Sequence, residues 1–172
     1  MNKKQALLEA ALDLFTEQGV GETTTKKIAL TAEVSEGLLF KHFASKQGLV
    51  NTLLDKANYR AFEIGEKWMS IEHPKLIIKQ ILSDCINIGF QDYKLLLFML
   101  NFKNNNTLTG SETAEKINKK LLKVFRQLGA QNPESEKIVF WITLYGIISY
   151  NSHEKLKEII PVYETILAKF KV

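Results

Sequence analysis

The strongest constraint on the fold is a series of hydroxyl residues, Thr23-Thr24-Thr25, Ser35 and Ser45, each standing just ahead of a short run with helical apolar spacing. Ser and Thr side chains accept backbone N–H bonds at helix starts, so each reads as an N-cap. The threonines open a helix carrying Ile28, Ala29 and Ala32; after Glu33 and Val34, Ser35 opens a second that runs to about His42, with Leu39 and Phe43 spaced i, i+4. Two short helices thus meet across a tight turn. Ahead of them, Leu7, Ala10, Ala11, Leu14 and Phe15 mark one buried face of a helix from Lys3 to Gln18, closed by Gly19-Val20-Gly21. Ser45 caps a longer helix from Lys46 to about Ser70.

No stretch alternates with period two for long enough to make a strand, so the expectation is an all-α protein. Pro74 follows His73 at a helix first turn, and Leu76, Ile77, Ile81, Leu82 and Cys85 form the apolar set behind it. Gly89 interrupts before a helix from Tyr93 to Phe102, and Asn104 to Thr107 reads as a loop. Thr109 with Glu112, or Ser111, caps a helix whose stripe is Ile117, Leu121, Val124, Phe125 and Leu128, ending at Gly129. Asn132-Pro133 starts a helix to Tyr150, with Glu134 and Glu136 where the helix dipole favours anions. A last helix from about Glu154 to Lys171 is kinked or restarted at Pro161.

Composition narrows the class. The 172 residues are 45% hydrophobic and 24% charged, with nine Gly and three Pro, which fits an ordered globular chain. Cys85 is the single cysteine, and three scattered histidines give no zinc spacing, so no metal or cofactor and a reducing cytoplasm are expected. Glu9 and Asp13 break the apolar run that a secretory signal needs. The longest uncharged run, Ile138 to His153, is 16 residues, below the roughly 18–20 of a membrane span. Net charge is +4, yet residues 1–56 hold seven lysines and seven acids, so bulk charge alone does not point to DNA.

Residues 23–46, TTTKKIALTAEVSEGLLFKHFASK, have the layout of a helix-turn-helix, in which one helix braces on phosphates and the next enters the major groove. Ile28, Ala29, Ala32, Val34, Leu39 and Phe43 supply its packing. With Thr24 or Thr25, Ile28-Ala29, Ala32, Val34-Ser35, Gly37, Phe40, His42-Phe43 and Ser45-Lys46 in this order, the segment over about 5–55 resembles the TetR-type transcriptional regulators. Three positions depart from that pattern: Glu33 stands for a turn glycine, Phe40 for a tyrosine, and Gly48 for an acid that would complete a capping box. With Leu39 and Phe43 inward, Glu36, Gly37, Leu38, Phe40 and Lys41 face a groove. Gly37 lets the backbone approach, Lys41 donates to guanine or phosphate, Leu38 meets a thymine methyl, and Glu36 accepts from cytosine N4. Thr24, Thr25, Lys26, Lys27, Ser35, His42 and Lys46 are expected toward the phosphate backbone.

The resemblance implies residues 1–50 as DNA-binding domain and 51–172 as an all-helical effector-binding and dimerisation domain, pairing two subunits through helices near 133–150 and 154–171. The 133–150 helix is apolar nearly all round and must be covered on more than one side. Phe62, Trp68, Cys85, Phe102, Trp141 and Tyr145 are the candidate lining of a site for a small hydrophobic effector, with simple core packing as the alternative for each. The expected function is a cytoplasmic, homodimeric regulator, usually a repressor, that an effector releases from a pseudo-palindromic operator. Two rivals stand beside it. One is a helix-turn-helix protein whose bundle serves protein contacts without operator reading. The other is an enzyme using Glu63, Glu66, Glu72 or Asp84, for which no nucleophile–base constellation, Glu-x-x-His pair or phosphate-cradling glycine loop is present.

Overall fold

A computed structural model describes residues 2–88, 90–102, 112–150 and 156–170, and the regular structure among them is helical. The helices are α1 (Lys3–Glu22), α2 (Thr25–Thr31), α3 (Glu36–Phe43), α4 (Lys46–Met69), α5 (Pro74–Ile86), α6 (Phe90–Asn101), α7 (Glu112–Gln127), α8 (Pro133–Tyr150) and α9 (Leu156–Lys169). The expected interruption at Gly89, the loop at Asn104 to Thr107, the Thr109 or Ser111 cap and the chain around Glu154 lie outside the described residues.

The chain forms two compact units, Met1–Tyr59 with Lys94–Phe102, and Arg60–Tyr93 with Lys103–Val172. A segment distant in sequence, Lys94–Phe102, thus joins the first unit. In that unit, Leu7, Leu8, Ala11, Leu14 and Phe15 of α1 close over Ile28, Leu39, Phe43, Leu49, Val50 and Leu53, with Phe98 of α6 in the same core. Phe15 and Phe98 stack at 5.7 Å, and Lys94 ties the segment to Asp13 at 2.6 Å. Phe102, expected among the effector residues, instead packs on this core beside Phe98.

Helix ends follow their residues. Gly19 breaks α1 at φ 85°, ψ 160°, and one further turn reaches Glu22. At the end of α2 the Glu33 N–H bonds the Leu30 carbonyl and the Val34 N–H bonds the Ala29 carbonyl. This is the Schellman arrangement, and it places Glu33 at φ 55°. A glycine is the natural occupant there, so Glu33 costs of order 1 kcal/mol.

In the second unit, Ile77, Ile78, Ile81, Leu82 and Cys85 of α5 form its buried face. Leu76 is exposed, contrary to the sequence expectation, because at about 100° per residue it lies opposite the face formed by Ile78, Ile81 and Cys85. Phe125, Phe140 and Phe170 of the last helices meet with ring centroids 5.2 to 5.7 Å apart. Helix α9 runs through Pro161 without restarting. Among the described residues no helix is long and apolar enough to cross a membrane.

Candidate nucleic-acid interface

The helix-turn-helix is held by its own polar groups. Thr24 caps α2 by accepting from the Lys27 N–H at 3.1 Å, and Ser35 caps α3 by accepting from the Leu38 N–H at 3.3 Å. The Thr25 hydroxyl donates to Glu36 Oε1 at 2.6 Å, linking the first residues of α2 and α3. Thr23 is fully buried, donating to the Gly19 carbonyl at 2.8 Å and accepting from Gln18 Nε2 at 2.9 Å. Gln18 in turn accepts from Lys27 Nζ.

Lys46 was expected at a phosphate. Its half-buried ammonium instead donates to the carbonyls of Val20 at 2.8 Å, Thr23 at 3.0 Å and Gly21 at 3.5 Å. A positive charge at the end of α1 meets orphan carbonyls and the negative end of the helix dipole. The first turn of α4 is thereby tied to the α1–α2 corner.

The turn into α4 is tighter than the sequence suggests. Ala44 sits at φ 61°, ψ −32°, and the Ser45 N–H reaches the Phe43 carbonyl at 2.7 Å, a γ-turn. Ser45 Oγ then accepts from the Gly48 N–H at 3.0 Å, the expected cap. A Cβ at position 48 would overlap the Phe43 carbonyl oxygen, so the residue that departs from the TetR pattern is the one this turn requires.

What remains outward is a distinct set. Leu39 and Phe43 are buried, while Gly37, Phe40, Lys41 and His42 are exposed, Phe40 by 47%. Lys26 is exposed as well, and Leu38 is half-buried. Lys3, Leu30, Glu33, Val34, Ser35 and Leu38 line a shallow concavity of about 540 Å³. Leu30, 77% exposed, escaped the sequence reading because its apolar neighbours Ile28 and Ala29 carry the helix spacing.

The six effector candidates differ in exposure and in the unit that holds them. Trp68 and Cys85 are buried, and Trp68 Nε1 donates to Asp84 Oδ2 at 2.7 Å. Trp141 is half-buried and donates to Asn118 Oδ1 at 2.8 Å. Phe62 and Tyr145 are exposed, and Phe102 belongs to the first unit. Burial, with the Asp84 carboxylate as a lesser cause, pushes the Cys85 thiol up to about 12, which keeps it out of its reactive thiolate form. On α8 the exposed residues Ile138, Ile142 and Tyr145, with Gly146 beside them, follow i, i+4, i+7, i+8. Sequence alone hid this stripe in a helix that is apolar all round.

Capped short helices, a Schellman turn and an outward face on the second helix define a helix-turn-helix domain. Residues 7–53 match the family model of bacterial regulatory proteins, tetR family, so this segment is similar to the DNA-binding part of that family. It is 46% identical over 50 residues to the HTH-type transcriptional repressor Rv3405c of Mycobacterium tuberculosis, covering 29% of this chain and 27% of that protein. The chain thus spans about a quarter of the length of that relative. Its fold is shared with the ketosteroid transcriptional regulator KstR2 of Mycobacterium tuberculosis, at a TM-score of 0.73 and 18% identity over 98% of this chain and 93% of that one. AibR, solved with isovaleryl coenzyme A and operator DNA, matches at 0.69 and 18% identity over 88% of each chain.

Proposed function

We propose that this chain is a cytoplasmic, homodimeric transcriptional regulator that reads a pseudo-palindromic operator and is released, in the manner of a repressor, by a small hydrophobic effector. The observation that carries the reading is the outward face of α3, capped at Ser35, anchored by Leu39 and Phe43, and bare at Gly37, Phe40 and Lys41. Gly37 admits the DNA backbone, Lys41 donates to base edges, and Phe40 and Leu38 present apolar contacts. Lys26 and His42 serve phosphates, with Thr24 at the same edge. Lys27, Thr25 and Lys46 act first within the protein, through the bonds described above.

Residues 1–50 are the reading head and residues 51–172 carry effector and partner. The α8 stripe of Ile138, Ile142 and Tyr145, together with exposed Val162 of α9, is the face assigned to a second copy. Burying such apolar area is worth about 25 cal/mol per Å², and Gly146 admits close helix approach. Two recognition helices must then lie roughly 34–36 Å apart, and an effector releases DNA by favouring another spacing by a few kcal/mol. Helix α4, which belongs to both units, is the lever. Acyl thioesters are the first effector class to screen, supported by the isovaleryl coenzyme A in AibR.

The test is binding to DNA flanking the protein's own gene against scrambled DNA of equal length, across salt concentrations. A preference of about 10³-fold or more, with a log–log salt slope near −6 to −10, is expected. Equal binding to both, repeated after selection from random DNA, refutes operator reading and favours the protein-contact alternative.

A further inference from the structure

We propose that Thr25 is a positioning residue whose hydroxyl fixes the Glu36 carboxylate, so that Glu36 reads a cytosine in each operator half-site. The inference rests on the operator-reading function above and names the base contact that gives it sequence preference.

Thr25 and Glu36 lie 11 residues apart and meet at 2.6 Å, both half-buried, at the first residues of α2 and α3. A Thr hydroxyl supplies one proton, whereas a carboxylate has about four lone-pair positions. The bond therefore orients Glu36 and leaves acceptor capacity for a base. A carboxylate only accepts. In the major groove guanine offers N7 and O6 acceptors, thymine an O4 acceptor and a methyl group, and adenine a donor beside the N7 acceptor. Cytosine presents its N4 donor without an acceptor of its own beside it, which makes it the base that an anchored carboxylate tolerates.

Anchoring also answers an electrostatic difficulty. An acid near phosphates is repelled wherever it lies, so a mobile Glu36 would weaken binding to every sequence alike. Held by Thr25 in the first turn of α3, where the helix dipole favours an acid, the same charge becomes selective. It meets a donor at one base pair and acceptors at the others. Two cations of this segment are committed elsewhere. Lys27 is turned to Gln18 and Lys46 to the α1 carbonyls, and among the described residues neither shares a hydrogen bond with Glu36.

The experiment measures binding of the full-length protein to its best DNA fragment and to variants in which each C·G pair of the half-site is changed singly to T·A. The wild type is expected to lose about 10-fold at one pair per half-site, as the N4 donor becomes an O4 acceptor. Thr25→Val should cut that loss to about 2-fold at this pair alone and leave the other positions unchanged, measured below the melting temperature of the variant, while Thr25→Ser restores it. Glu36→Gln, which both donates and accepts, should relax the same pair. An equal loss on every variant for Thr25→Val makes Thr25 a phosphate contact and overturns the proposal, as does a cytosine preference that survives Glu36→Ala. A wild type with no preference on any DNA, including sequences selected from a random pool, removes the operator-reading function and this inference with it. Ordinary preference without a Glu36-dependent pair removes the inference alone.

Discussion

Gly48 lies so close behind Phe43 that a side chain on residue 48 would collide with the Phe43 carbonyl oxygen. In an open helix, glycine to alanine is favourable by about 1 kcal/mol. Here the sign reverses. Gly48→Ala should destabilise the protein by about 1–3 kcal/mol, the usual range for overpacking, read as a lower denaturant midpoint. Ala44→Gly relieves the positive φ of the same turn and should raise the unfolding free energy by about 0.5–1 kcal/mol, read as a higher midpoint. A neutral or stabilising Gly48→Ala rules out this turn geometry.

Lys46 and Lys26 should respond differently to removal. Lys46→Met deletes the ammonium held by the α1 carbonyls but keeps the stem, and a loss of about 1–3 kcal/mol in unfolding free energy is expected with the salt slope unchanged. Lys26→Ala should leave stability within about 0.5 kcal/mol and reduce the slope of binding against salt by about 0.9. A reduced slope for Lys46→Met would return that lysine to the phosphates.

Lys41 stands on the outward face of α3, and its removal should be felt unevenly. Lys41→Ala is expected to cost about 1–3 kcal/mol on the best operator and less on variants that lack the contacted guanine. A uniform loss across variants assigns Lys41 to the backbone.

Ile142 is 65% exposed in the single chain, so Ile142→Glu should spare the fold of each copy while placing a charge in the proposed interface. Sedimentation should show half the mass of the wild type. An unchanged mass excludes this face of α8 from dimerisation.

The Cys85 thiol, raised by burial to about 12, titrates near 8.5 once unfolded. Between these values the unfolded chain gives up a proton that the folded one keeps. The contribution is therefore complete below the unfolded value and is lost as pH rises toward the folded one, at up to about 1.4 kcal/mol per pH unit. The stability difference between wild type and Cys85→Ala should change with that slope above pH 9, and a pH-independent difference would contradict the buried thiol.

The reading head was legible because its message is local: caps at Thr24, Ser35 and Ser45 sit within four residues of the groups they satisfy. The Glu33 turn was equally plain, since one residue against one pattern position implies a positive φ. What stayed hidden depends on separation. Lys46 reaches back 26 residues to Val20, and Leu95, Phe98 and Phe102 join a core whose other members lie before residue 55; no periodicity encodes either meeting. For the same reason the exposure of Tyr145 on α8 is not encoded by its type, and type does not distinguish a wall from a surface.

Thr23, Thr24, Thr25, Lys27, Ser35, Ser45 and Lys46 hold hydrogen bonds within the protein, whereas Gly37, Phe40 and Lys41 are exposed. In the proposed operator-reading role, Gly37, Phe40 and Lys41 are then positions where substitution changes the preferred DNA sequence while the scaffold goes on assembling as before. A change at Glu36 also touches the Thr25 bond, so duplicated copies would diverge in target most readily at the three exposed positions.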